Sequence, residues 1–342
     1  MATVVSTNLT SSIAQASQTD NTQTYFRKVL LDRADYKNFY GRWADQLPIP
    51  QNEGKSLVVR RYAHLAMALS ALSEGVPPAG KTPTLTDFSA TLSQYGDFIA
   101  LSDYARFTQK DPVLNHWTGL LGEQAGYSID AVDRDSVTAG TGVTYSNGAA
   151  RTSVNTVVDG NDLDRAIRTL MNNGAETIIE GTGGTPNQGM YSTMPGYPAV
   201  THPFVLFTLQ NVTGFRWPSE YKGGGEGEMG RYKMLCFYVA PDPSSLSAGA
   251  KLFADGGGAD NDLVRSTTGT SADVHTIMIY GKHGFSAVPL QGKNTSYHVK
   301  GVGTSGVYDP IDQVGTTGWK NISTRLITNN NWLNRIECAA EL

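Results

Sequence analysis

The sequence predicts an α+β fold in which a few helices frame a body of strands, and three observations carry that reading. The stretch from Thr84 to Asp135 reads as one long strand feeding one long amphipathic helix. The last third consists of short apolar runs separated by Gly, Asn and Asp. Charged residues are only 17% of the 342, while Gly numbers 37, which suits strands and long turns and not a helical bundle.

In the opening stretch, Phe88-Ser89-Ala90-Thr91-Leu92-Ser93 alternates strictly, the period of a half-buried strand. The apolar parity changes at Tyr95-Gly96, so that Ile99 and Leu101 carry it onward, as a bulge at glycine allows. Asp111-Pro112 then supplies a helix cap with Pro at the first position. Leu114, Trp117, Leu121, Ala125, Ile129 and Val132 repeat at helical spacing behind it. Nothing at the join bears chemistry, so the stretch reads as a frame.

Taken in order, residues 1 to 20 are Ser, Thr, Asn, Gln and Ala with almost no charge, the composition of an arm ordered only by partners. Asp20 and Gln23 form a capping-box pattern before a helix with a stripe of Phe26, Val29, Leu30 and Tyr40, closed by Gly41 and Pro48-Ile49-Pro50. Gly54 to Ala66 is a strand with Leu57 and Val59 on one face and Arg60, Tyr62 and His64 on the other. The Pro/Gly-rich run from Ser73 to Pro83 precludes regular structure. Residues 54 to 102 therefore predict a long two-stranded projection with an irregular middle, lacking a supporting surface nearby in the chain.

A loose Thr/Gly/Ser patch spans Ser136 to Thr156, and a helix follows, capped by Asn161 or Asp162, burying Leu163, Ile167, Leu170 and Met171 and ended by Gly174. Further strands are expected at Thr177 to Ile179, Val200 to Leu209 (with Pro203 an irregularity), Tyr232 to Val239, His275 to Tyr280, Phe285 to Leu290 and Ser296 to Gly301. Gly181 to Pro198, Gly223 to Gly230 and Pro241 to Ser271 read as loops. The tail predicts a hairpin, Gly318 to Thr328 against Trp332 to Glu337, turning at Asn329-Asn330-Asn331.

Composition excludes several functions. A net charge of −4 argues against a dedicated nucleic-acid binder, though not against a protein that encloses nucleic acid. Cys236 and Cys338 are far apart in apolar surroundings, which predicts two buried free thiols. Met1 to Thr24 lacks the basic-then-apolar pattern of a secretory signal, and no window is apolar enough to span a membrane, so synthesis in the cytosol is expected.

Motifs for chemistry are weak. Gly225-Glu226-Gly227-Glu228-Met229-Gly230 matches the dinucleotide fingerprint by letter, but a loop precedes it, a strand follows and two carboxylates would repel a pyrophosphate. His64, His116, His202, His275, His283 and His298 show no metal-ligand spacing. Asp130, Asp133 and Asp135 read as a solvated last turn, mildly misplaced at a helix C-terminus, where a partner's basic group would be welcome. The aromatic, basic clusters Arg60-Arg61-Tyr62 and Trp319-Lys320 suit strand packing better than base stacking. No catalytic, cofactor-binding or metal residue is assigned, and no cofactor is expected.

The order of arm, helix, long hairpin, long helix, strand-rich body and terminal strands resembles the major capsid proteins of tailed phages with the Hong Kong 97-type fold, in particular those of N-four-type podophages. The resemblance is carried by Thr24 to Leu30, Leu92 to Asp103, Gly227-Glu228-Met229-Gly230-Arg231, Tyr280-Gly281-Lys282, and Asp309-Pro310 through Trp319-Lys320 to Asn331-Trp332 and Glu337. It implies an N-terminal arm (1–50), an extended two-stranded loop (51–104), a peripheral domain with a long spine helix (105–157 and 309–342) and an axial domain (158–308). It further implies a structural protein and not an enzyme, found in the virion capsid and made in the host bacterial cytoplasm. Its partners would be further copies of itself in hexamers and pentamers, a scaffolding protein, a portal protein and a decoration protein. The icosahedral shell would enclose double-stranded DNA without sequence-specific binding, and no membrane is involved. In some relatives a loop lysine forms an isopeptide bond to a neighbour's asparagine. Lys81 lies in that region, with Asn329 to Asn331 and Asn334 as acceptors, yet the sequence identifies no catalytic carboxylate, and a non-covalent shell is expected. Two other readings are a strand-rich hydrolase with its site in the loops at 181–198 and 221–230, and a carbohydrate-binding tail-associated module.

Overall fold

The computed structural model describes residues 38–63, 65–69, 71, 74–75, 80–104, 113–179, 195–220, 227–241, 274–292, 295–301, 311 and 313–340. The expected first helix, the Asp111-Pro112 cap and most of the loops at 181–198 and 241–271 lie outside these residues.

Two sheets and a hairpin form the body. The first sheet is built along the long strand β13 (Val314–Ile327). One edge of β13 pairs with β4 (Ser93–Ser102), from Val314↔Ser102 to Ser323↔Ser93. The other edge pairs first with β12 (Thr295–Lys300) and then with β11 (Phe285–Pro289), to which the short β1 (Asp45–Gln46) adds in parallel. Helix α1 (Val113–Thr138) lies on one face of this sheet, where Leu121 and Ala125 pack against Trp319, Tyr95, Ile99 and Tyr297. The helical spacing seen in the sequence is thus real: Leu121 and Ala125 of the stripe are fully buried, while Trp117, Ile129 and Val132 are half-buried.

The second sheet has seven strands in the order β5-β14-β10-β6-β9-β8-β7: β5 (Val143–Tyr145), β14 (Leu333–Cys338), β10 (His275–Tyr280), β6 (Tyr197–Thr201), β9 (Leu235–Val239), β8 (Glu228–Tyr232) and β7 (Phe215–Arg216). Helix α2 (Gly160–Asn172) covers one face through Leu163, Ala166, Ile167 and Leu170, which meet Ile277, Ile279, Ile336 and Phe237. The opposite face is covered by Tyr40 and Val137, which meet Val200, Met278, Tyr280 and Leu333. Cys236 and Cys338 belong to clusters on opposite faces, and both are buried free thiols, as expected. Burial pushes the Cys236 thiol up to about 12, so it is inert as a nucleophile at neutral pH.

Several expectations are corrected. The strand expected to run from Phe88 through a bulge at Gly96 breaks instead at Leu92. β3 (Leu85–Thr91) pairs with β2 (Ser56–Tyr62), and β4 leaves to join β13. Gly96 is required there because a Cβ would strike the Trp319 carbonyl. The run from Val200 to Leu209 is not one strand. β6 ends at Thr201, and Pro203 opens the short helix α3 (Pro203–Leu209), its fixed φ and missing N–H suiting the first helical position. The His202 ring accepts the Phe204 N–H at 3.2 Å and caps that helix. Tyr232 to Val239 is likewise two strands, turning at Lys233, whose φ is +49°.

The expected terminal hairpin is not one: β13 and β14 lie in different sheets, as do β10 and β11. The two connections run side by side, the Gly281 N–H donating to Trp332 O at 2.7 Å and the Thr328 N–H to Gly284 O at 3.1 Å. A two-stranded ribbon, β10–β11 with β13–β14, therefore bends from one sheet into the other. The patch after Ser136 contains β5, parallel to β14. The α2 cap is Asp159, in a capping box with Asp162, not Asn161 or Asp162 itself. Met171 is exposed, and Thr177 to Ile179 provides only a single bridge, Ile179 to Gly196. Gly174 ends α2 at φ +69°, as the pattern predicts.

Candidate functional site

The β2–β3 hairpin leaves Val58, Tyr62 and Leu85 exposed. Its strands pair from Ser56↔Thr91 to Tyr62↔Leu85, and alternation places Leu57, Val59, Phe88 and Ala90 on one face. That face does find a surface within the chain, contrary to the sequence reading: it rests on Ile49, Val288 and Leu326 beside β11 and β13. Arg61 pins it further, donating to Thr328 O at 3.2 Å and lying 5.2 Å over the Phe88 ring. Across the outer face Arg60 pairs with Asp87 at 2.9 Å, an exposed pair worth little by itself.

Beyond Tyr62 the chain runs on with apolar side chains in solvent. Met67 is 82% and Leu69 87% exposed, and Leu65, Tyr62, Val58 and Leu85 are also exposed. Lys81 holds the two sides of this extension together, its Nζ donating to Ala66 O at 2.6 Å and Met67 O at 3.2 Å. Burying one side chain of this size is worth about 1.5–3 kcal/mol, so a surface that covered the extension would gain several kcal/mol. Apolar side chains gathered at the end of a projection mark a binding surface.

The frame that carries the projection is locked by buried charge. Asp130 and Asp133, read from sequence as solvated, are each 1% exposed; only Asp135 faces water. Asp130 Oδ1 accepts the N–H groups of Phe39 (2.8 Å) and Tyr40 (2.7 Å), tying the segment before β1 to α1. Burial raises its pKa to about 6, against those two hydrogen bonds and Arg134, which lower it. Asp133 is paired with Arg325 of β13, and both are almost fully buried. Burial lowers Arg325 to about 10, so the guanidinium stays charged at neutral pH. The basic groups that the acidic helix end calls for therefore come from the chain's own strands. Arg335 of β14 completes the set: it donates to Thr138 O and, at 2.7 Å, to Gly140 O, satisfying the carbonyls at the end of α1. Arg335 and Arg151 both bind Glu337, at 2.7 and 2.8 Å. Burial alone would raise Glu337, but the two guanidiniums outweigh it and hold the carboxyl below its ordinary range.

The remaining candidates show no shared site. Among the described residues no group of three His, Cys, Asp or Glu is placed to hold a metal. His202 and His275 stack at 4.7 Å within the second sheet, His283 meets Asp45 at 2.6 Å, and His298 meets Ser296 at 3.0 Å. His64 and the side chain of His116 lie outside the described residues. Of the fingerprint-like run, Gly225 and Glu226 are also outside; Glu228 is buried in an ion pair with Arg231 at 2.9 Å, and Gly230 is filled against by the Phe215 ring. Both are strand features. Among the asparagines, Asn334 is buried and accepts from Thr144 at 3.2 Å, Asn329 accepts from the Asn331 N–H at 3.1 Å, and Asn330 accepts from the Thr141 N–H at 3.2 Å. Trp319 is buried beneath α1, as packing predicts, and Lys320 points the other way.

Comparison with known proteins gives this arrangement a family. A model of the phage capsid protein family matches residues 86–292, well over half of the chain, and the chain belongs to that family. No curated protein matches it significantly. Among solved structures the fold is similar to the cyanophage Pam1 capsid asymmetric unit (TM-score 0.59, 12% identity, covering 96% of each chain). It is also similar to the head structure of Helicobacter pylori bacteriophage KHP40 (0.58, 11%, 98% of this chain and 96% of that one). The capsid of cyanophage P-SCSP1u gives 0.57 at 13% identity, covering 89% and 88%. The Hong Kong 97-type α+β fold expected from the sequence is thus the fold of the chain, and the family role is structural. The match is to the family as a whole and does not single out the N-four-type group. Sequence reasoning missed the functional weight of Asp130, Asp133, Arg325 and Arg335. Carboxylates at a helix C-terminus with no basic residue in the last turn were the available signal.

Proposed function

We propose that this phage capsid protein is the major subunit of an icosahedral head, and that the β2–β3 projection engages neighbouring copies. The observation that carries this is the run of exposed apolar side chains from Leu65 to Leu69, held out by Lys81 on a frame locked by buried ion pairs. Copies arrange as hexamers and pentamers, and many modest contacts per subunit add up to a stable closed shell. Residues 1–50 serve as arm, 51–104 as extended loop, 105–157 with 309–342 as peripheral domain and 158–308 as axial domain. The sheets cross this division, since β11 and β12 pair with β13 while β14 and β5 join β10. Exchanged strands would make the two domains move as one. Assembly occurs in the cytoplasm of the bacterial host on a scaffolding protein around a portal. The shell encloses double-stranded DNA without reading its sequence, and a decoration protein is an optional outer partner. Subunits are held without isopeptide bonds: Asn334 is buried, the Asn329 side-chain oxygen caps a local turn, and that of Asn330 accepts from the distant Thr141 N–H.

Co-expression with its scaffold, followed by sedimentation and electron microscopy, tests the proposal. Closed shells of megadalton size are expected, dissolving to a single monomer band on a denaturing gel. A chain that stays monomeric with scaffold present would overturn it.

A further inference from the structure

Asn-Gly occurs twice in the sequence, at Asn147-Gly148 and at Asn173-Gly174. In such a pair the glycine nitrogen can attack the asparagine side-chain carbonyl, because no Cβ on the second residue obstructs the approach. The sequence makes the two pairs equal. The structure makes them different.

Asn173-Gly174 is locked at the end of α2. The Gly174 N–H, which holds the attacking nitrogen, donates to Met171 O at 3.0 Å. Asn173 Nδ2 donates to Asn331 O at 3.1 Å, and Asn173 O accepts from Trp332 Nε1 at 3.1 Å. Several bonds must break together before a ring can close there, and each has its own cost.

Asn147-Gly148 is held far less. Both residues are exposed, on a loop that leaves the sheet after β5 and returns beside the end of β14. The Ser146 N–H donates to Glu337 O at 3.0 Å where the loop departs, and the Ala339 N–H donates to Thr156 O at 2.9 Å where it returns. Across this neck Asn147 Nδ2 donates to Asn155 Oδ1 at 2.8 Å. The Gly148 N–H donates to nothing among the described residues, so a single exposed hydrogen bond restrains the reacting groups. The fold also requires the glycine: its φ is +71°, and a Cβ there would meet Ser153 Cβ at 2.5 Å.

We propose that Asn147 is a site of spontaneous deamidation, and that the reaction opens the neck of this loop. The Gly148 nitrogen bonds to Asn147 Cγ and gives its proton to water, while the Asn147 amide nitrogen leaves as ammonia. Water then opens the succinimide at either carbonyl, to an aspartyl or an isoaspartyl residue. The net change is water in and ammonia out. The new carboxylate is an acceptor only and cannot donate to Asn155 Oδ1, so the neck loses its clasp. The loosened loop is the one that brings Arg151 to the buried Glu337, at 2.8 Å.

The test incubates the full-length chain in warm, mildly alkaline buffer, with and without urea, and digests it with trypsin. The peptide from Asp135 to Arg151 contains Asn147 and no other Asn or Gln. Conversion is read by mass and by isoaspartyl methyltransferase labelling. In the folded chain Asn147 should react about tenfold faster than Asn173 or more, since Asn173 must wait for local opening of the α2 end. In urea the two rates should converge. Equal rates in the folded chain would show that sequence alone sets them, and no conversion at Asn147 would show that the Asn155 bond locks it; either result overturns the proposal. Asn147→Gln should leave the peptide unconverted. Asn147→Asp, which has the product's carboxylate from the start, should speed hydrogen exchange at the Ser146 N–H and lower the urea midpoint of unfolding. Unchanged exchange and midpoint in that variant would overturn the opening of the neck.

Discussion

Replacing Arg325 with Met would strand the Asp133 carboxylate inside the protein. Both side chains are nearly inaccessible, 7% for Arg325 and 2% for Asp133, so water cannot take over from the lost guanidinium. Removing one partner of a buried pair costs about 3–5 kcal/mol, most of it the penalty of the charge left behind. Asp133→Asn should be costly for the converse reason, leaving Arg325 buried against a neutral amide. The pair removed together, Asp133→Asn with Arg325→Met, should cost less than the two single changes summed, with a coupling energy of about 2–3 kcal/mol. Equilibrium urea unfolding of the unassembled subunit, followed by tryptophan fluorescence, reads these values from the midpoint and slope. The reasoning is refuted if Arg325→Met costs less than about 1 kcal/mol, or if the double variant loses as much as the sum. Either result would mean that α1 and β13 are joined by apolar packing alone, at Leu121, Ala125 and Trp319.

Other expectations follow from the same geometry. Asp130 has a folded pKa of about 6 against 3.8 unfolded, so its protonated form is the one that favours folding. Its contribution is fully present below pH 3.8 and lost as pH rises to about 6, a span of about 3 kcal/mol. Asp130→Asn keeps an acceptor for Phe39 and Tyr40 and should flatten the stability profile in that window, as read by unfolding midpoints across pH. Glu337 has the opposite sign, its folded pKa being depressed, so its contribution is present above the unfolded value and lost on acidification. Glu337→Gln should remove that acid-side loss and destabilise at neutral pH. Met67→Glu with Leu69→Glu should leave the subunit's unfolding free energy within about 0.5 kcal/mol of wild type, since both side chains are exposed, but should block shell assembly in sedimentation. Asp159→Ala removes one half of the α2 capping box and should cost about 1 kcal/mol in thermal or urea unfolding.

Local chemistry and periodicity determined a good deal from the sequence alone. The alternation in Leu57 and Val59 and the apolar runs at His275 to Tyr280 and Phe285 to Leu290 marked strands where the structure has them, the last ending at Pro289. The helical repeat through Leu121 and Ala125 and the Gly174 stop marked helices, because these signals lie within a turn or two of chain. The order of those elements also sufficed to recognise the capsid fold. Tertiary structure alone decided which strands share a sheet. A turn at Asn329 to Asn331 looks the same whether the flanking strands pair with each other or, as here, with β11 and β10 in two separate sheets. Pro203 looked like a flaw in a strand until the end of β6 made it a helix start. The fate of the charges was likewise decided in three dimensions. Asp130 and Asp133 are buried because Tyr40 and Arg325 reach them across 90 and 192 residues of chain, and desolvation is tolerated only where such partners arrive. Burial and pairing are sums over distant neighbours, and no window of sequence contains them.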